Sequence, residues 1–132
     1  MNKQILNIID KLESYDLEGM IFSITLNYEK IVQDFQKVAY DIETVENVLS
    51  SYAKEVETFN LTISNYEEWS EERYKNYWYN VNLVFHSGGI VFNFSSPYLS
   101  SQYKDFNDID KMMNVYNEYK KISKNLYDIN QE

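Results

Sequence analysis

The chain has 132 residues, of which 44% are hydrophobic and 25% charged, enough apolar mass for one folded domain with its own core. It has no cysteine, which removes disulfides, thiolate nucleophiles and cysteine-bearing metal sites together. Its net charge of −9 repels phosphate backbones and anionic lipid, so nucleic acid and membranes are poor partners and a basic protein is a good one.

The charge is uneven. Residues 1–57 hold eleven acids and five lysines, for −6, against −2 over 58–100 and −1 over 101–132. The opening Met1-Asn2-Lys3-Gln4-Ile5 has no apolar core of a secretory signal, and no apolar run reaches the ~20 residues that cross a bilayer. A cytoplasmic location is expected.

Ile5, Ile8, Ile9 and Leu12 recur at helical spacing opposite Lys3, Asp10, Lys11 and Glu13, which predicts an amphipathic helix over about 2–14. Met20, Phe22, Ile24 and Leu26 then alternate with Ile21, Ser23 and Thr25. Period two favours a strand over 20–26, although Ile24 and Tyr28 also continue the helical pattern that follows.

Ile31, Phe35, Val38, Ile42, Val45, Leu49, Tyr52 and Val56 are spaced 4-3-4-3-4-3-4. That seam predicts one long helix over about 28–57, with Asp41 as a residue that could cap a second helix and break the first. Strands are expected at about 58–64, 77–86 and 90–96. Gly88-Gly89 would make the tight turn of the last two, setting Phe85 opposite Phe92 and Leu83 opposite Phe94. Pro97 ends the ladder. A final helix over about 107–127 opens at Asn107-Asp108, and its apolar stripe is Ile109, Met112, Tyr116, Tyr119, Ile122, Leu126 and Ile129. The expected fold is α+β: three helices packed on a small antiparallel sheet.

No motif carries a chemistry. His86 is the only histidine, without the nucleophile and orienting group of a triad. Asp105, Asn107, Asp108 and Asp110 resemble a calcium loop, but the sixth and twelfth positions of an EF-hand hold Asp110 and Tyr116 rather than glycine and glutamate. Helix capping explains those acids. Glu67, Glu68, Glu71 and Glu72 fall on one short segment, where Asn65 and Glu68 read as a helix start, rather than on elements that converge on a cleft. Neither an enzyme, a cofactor nor a metal is expected.

What remains is surface. Tyr66, Trp69, Tyr74, Tyr77, Trp78 and Tyr79 crowd beside those glutamates and Arg73, the only arginine. Tyrosine, tryptophan and arginine dominate binding hot spots, and in a chain with 13 tyrosines and seven phenylalanines they also fill cores. Tyr77 and Tyr79 fit the core; Trp69 and Trp78 suit either role. The partner-binding candidates are Glu67, Glu68, Trp69, Glu71, Glu72, Arg73 and Trp78, with Glu43 and Glu46 on the long helix as a second acidic face. A short acidic chain without cofactor signals suits an inhibitor of a basic, nucleic-acid-handling protein, of the phage or mobile-element anti-defence (anti-CRISPR-like) type. An immunity protein against a cognate toxin and a helical homodimer built on the heptad seam are the alternatives.

Overall fold

The computed structural model describes residues 7, 10–28, 35–52, 56–67, 77–86 and 88–131. Residues 7 and 10–12 are helical, and the rest of the helix expected over 2–14 lies outside the described residues. After it come β1 (Ile21–Tyr28), β2 (Phe35–Ala39), α1 (Ile42–Tyr52), β3 (Val56–Ser64), β4 (Asn80–His86), β5 (Gly89–Ser95), β6 (Gln102–Phe106) and α2 (Ile109–Asn130). The strands form one six-stranded antiparallel sheet in the order β2-β1-β3-β4-β5-β6. The fold is α+β, with a larger sheet than the sequence suggests.

Alternation builds the core. Phe22, Ile24 and Leu26 of β1, Phe59, Leu61 and Ile63 of β3, Val81, Leu83 and Phe85 of β4, and Ile90, Phe92 and Phe94 of β5 are all buried. Residues directly opposite on paired strands share a face, and the register Phe22↔Ile63, Leu61↔Leu83 and Leu83↔Phe92 puts these side chains on one side. Leu12, Val45, Val48 and Leu49, together with Ile109, Met112, Met113 and Tyr116, complete the same cluster. The helices therefore cover this face. Tyr116 is buried, and its hydroxyl donates to that of Tyr79 (3.3 Å), so the polar tip of each ring is satisfied inside the core.

The heptad seam is not one helix. Its first described part, Phe35–Ala39, is a strand that pairs with β1 through Leu26↔Phe35, Thr25↔Gln36 and Ser23↔Val38. Phe35, Lys37 and Ala39 alternate with Gln36 and Val38, a period-two pattern hidden under the 4-3 spacing; pairing to β1 decides between them. Val38, a seam position, is 46% exposed. Asp41 makes the break: its Oδ1 accepts from the Thr44 backbone N–H (2.7 Å) and hydroxyl (2.8 Å), starting α1 one residue later. Buried Val45, Val48 and Leu49 then carry the packing of α1.

The last hairpin is shifted by two residues from the expected register. Phe85 pairs with Ile90, Leu83 with Phe92 and Val84 with Val91, so His86↔Gly89 closes the ladder and Gly88 lies in the turn. A two-residue shift leaves every side chain on its expected face. Gly89 sits inside the strand at φ +144, where a Cβ would lie 2.5 Å from the Phe106 carbonyl oxygen. That close approach is how β6 reaches the sheet. The strand expected from 77 starts at Asn80, because Asn65 clamps the chain before it: the Asn65 side chain accepts from the Tyr79 N–H (3.0 Å) and donates to the Tyr77 carbonyl (3.3 Å). Asn65 thus braces the end of β3 against the start of β4, and the short helix expected to run on from it through Glu68 lies outside the described residues.

In α2 the cap is Asp108, which accepts from the Asp110 and Lys111 N–H groups. The buried stripe is Ile109, Met112, Met113, Tyr116 and Ser123. Ile122 and Ile129, expected on it, are 37% and 64% exposed. Two turns of about 3.6 residues carry the stripe from Tyr116 to Ser123, whose hydroxyl accepts from Ser96, also buried (2.9 Å).

Candidate partner-binding surface

The opposite face of the sheet is polar and uncharged over most of its width. Ser23, Thr25 and Asn27 of β1 share it with Thr58, Asn60, Thr62 and Ser64 of β3, and with Asn80 and Asn82 of β4. Their side chains bond across strands. Asn82 donates to Asn60 (2.5 Å) and Thr62 (2.9 Å), Ser95 to Asn80 (2.8 Å) and Asn27 to Thr58 (2.7 Å). Among the described residues no helix packs on this side. Serine, threonine and asparagine suit such a position because their short side chains satisfy one another across the pleat.

At one end this face is hollowed. Val38 of β2 and Tyr40 just beyond it, Ile21 and Ser23 of β1, Thr62 and Ser64 of β3, Asn80 of β4, and Tyr66 and Glu67 after β3 line a groove of about 270 Å³. Val38 pairs with Ser23 and Ser23 with Thr62, while Ile21 pairs with Ser64 and Ser64 with Asn80. The floor is therefore fixed by backbone pairing. Tyr66 is held as a wall: its hydroxyl accepts from Asn80 (3.3 Å), and its ring meets Trp78 edge-on with centroids 5.3 Å apart. Tyr40, 59% exposed, stands at the rim.

The sequence candidates divide accordingly. Glu67 lines the groove and Trp78 braces its wall. Glu68, Trp69, Glu71, Glu72 and Arg73 lie outside the described residues. Tyr79 is buried in the core, while Tyr77 packs against it with its hydroxyl donating to the Lys120 carbonyl (3.2 Å). Ile21, Ser23, Val38 and Tyr40 were missed by sequence reasoning. The alternation from Phe35 to Tyr40, read as a strand, would have found the last two.

Glu43 and Glu46 belong to a separate acidic pole. Glu43 is exposed in the first turn of α1, where the helix dipole favours a carboxylate. Glu46 faces Glu13 and Asp10. Partial burial first, then the hydrogen bond and negative charge of Glu13 and those of Asp10, push its carboxyl up to about 7. Ion pairs do little to offset this charge. Among the described residues only Lys11–Asp110 (2.9 Å) and Lys124–Asp128 (2.8 Å) are paired, both at the surface. Asp110 also accepts from the Tyr15 hydroxyl, which raises that phenol to about 12.

Chemistry is sparse elsewhere. His86 Nδ1 accepts from the Gly88 N–H (3.1 Å), tying it to the hairpin turn. Asp108 and Asp110, candidates for a calcium loop, are used for capping and for Lys11 and Tyr15. Among the described residues no group of three or more histidine, aspartate or glutamate side chains is arranged to hold a metal, and no helix is long and apolar enough to cross a membrane. No family model, curated protein or solved structure matches the chain.

Proposed function

We propose that this protein is a non-enzymatic, cytoplasmic inhibitor that binds a basic, nucleic-acid-handling protein and blocks the surface that protein offers to nucleic acid, in the manner of phage or mobile-element anti-defence proteins. Charge left without ion pairs among the described residues carries the reading. The net charge is −9, and only two ion pairs form among the described residues. Glu46 lies against Glu13 and Asp10, whose negative charge adds to burial in raising its pKa. Folding alone gains nothing from such crowding, because like charges at close range destabilise the compact state. A basic partner relieves it on binding.

The second structural support is the open sheet face, where Asn27, Asn60, Thr62, Asn80 and Asn82 are hydrogen-bonded across strands and whose grooved end is preorganised by strand pairing. A rigid surface loses little entropy on docking. The test is capture from a producing host's lysate on the immobilised protein, eluted with rising salt, beside a Glu13→Lys/Glu43→Lys variant. The expected result is retention of a basic nucleic-acid-binding protein that salt releases and the variant holds weakly. Equal capture by parent and variant, insensitive to salt, would overturn the proposal.

A further inference from the structure

We propose that the groove at the end of the open sheet face receives an arginine side chain from the partner protein. This deepens the inhibitor reading and rests on it for the identity of the occupant. At about 270 Å³ the groove falls below the usual size of sites for whole drug-like ligands or cofactors, and it suits a single long side chain.

Its lining combines apolar, aromatic and acidic side chains. Ile21 and Val38 offer apolar surface to an aliphatic stem. Tyr40, largely exposed at the rim, offers a ring face to a planar cation. Among the described lining residues Glu67 is the only charged one, and it is an acid. Ser64, Thr62 and Asn80 add neutral oxygens to the same lining, each with a lone pair left beyond its existing bond. A guanidinium matches this set better than an ammonium. It stacks flat on aromatic rings, pairs in bidentate fashion with a carboxylate, and spreads five N–H donors over further acceptors. A protein that handles nucleic acid displays arginines of this kind along its phosphate-binding surface. Occupying one would remove a phosphate contact and anchor the inhibitor there at the same time.

Tyr66 is held ready by Asn80 and Trp78, so binding needs little reorganisation of that wall. Tyr40 is mostly exposed, and truncating it leaves the fold intact.

The probe is N-acetyl-arginine methylamide, titrated into ¹⁵N-labelled protein and followed by amide chemical shifts, with the neutral citrulline analogue as control. The expected result is saturable shifts confined to the amides of Ile21, Ser23, Val38, Thr62, Ser64, Glu67 and Asn80. Glu67→Gln and Tyr40→Ala should keep the parent's dispersed spectrum. Each should weaken binding, Glu67→Gln by about tenfold, as loss of a charge-assisted pair does. Citrulline binding as well as arginine, Glu67→Gln leaving affinity unchanged, or shifts that collect instead around Asp10, Glu13 and Glu46 would each overturn the proposal. Such a failure leaves the inhibitor reading standing wherever lysate capture still depends on salt and on Glu13 and Glu43. Loss of that dependence overturns the broader reading even if arginine binds the groove.

Discussion

Replacing Gly89 with alanine tests how the sheet is closed at its far edge. Gly89 has φ +144, a backbone region that L side chains rarely enter, and holding one there costs about 1–3 kcal/mol. The new Cβ would also lie 2.5 Å from the Phe106 carbonyl oxygen. That atom is backbone, so β6 must retreat, straining the Ile90↔Phe106 pairing that holds it. The two effects together are expected to cost about 3 kcal/mol. Gly19 supplies the internal reference. It too has positive φ, +78, but nothing lies within 4 Å of its would-be Cβ, so Gly19→Ala should cost only about 1 kcal/mol, the left-handed penalty alone. Urea denaturation of both variants gives the comparison, with hydrogen exchange across 102–106 showing whether the loss is local to β6. If Gly89→Ala is no more destabilising than Gly19→Ala, the close approach of β6 is not a constraint and this reasoning fails.

Further outcomes follow from the same packing. Leu49→Ala, fully buried in α1, should lose about 2–4 kcal/mol in urea midpoints. Val38→Ala, on the exposed face of β2, should change them by less than about 0.5 kcal/mol; equal losses would restore a single buried helix through both positions. Asp108→Ala removes the α2 cap and should cost about 1 kcal/mol by the same assay, whereas an unchanged midpoint would mean α2 is started by something else. Glu46 titrates at about 7 in the fold against 4.5 unperturbed, so the folded state keeps a proton that the unfolded chain has released between those values. Stability should therefore fall as pH rises through that window. Glu46→Gln should flatten the fall and melt higher than the parent above pH 7; identical melting profiles would show that the carboxylates do not meet.

The sequence showed most clearly what alternates. Strands β1, β3, β4 and β5 were legible because each puts an unbroken apolar row on one face, and that row survives even a two-residue error in hairpin register. The helix over 28–57 misled for a related reason: Phe35 and Val38 satisfy a helical spacing while Phe35, Lys37 and Ala39 satisfy a strand's. Only the presence of β1 as a pairing partner, together with the Asp41 cap, separates them. β6 was invisible because Gln102-Tyr103-Lys104-Asp105-Phe106 is polar and charged, as edge strands must be to resist pairing with other chains. Of the candidate surface, Glu67 and Trp78 could be picked from composition. The groove beside them could not, because it is made of Val38, Tyr40, Ser23 and Asn80, ordinary residues brought together only by the strand order.

The proposal is competition between this acidic protein and nucleic acid for a basic protein surface. Its most direct measurement is fluorescence anisotropy of a labelled oligonucleotide bound to the captured partner, titrated with the protein at low and at raised salt. Displacement of the oligonucleotide, weakened by salt and by Glu13→Lys/Glu43→Lys, is the outcome expected of such a competitor. An oligonucleotide that stays bound while the protein saturates the partner would contradict it.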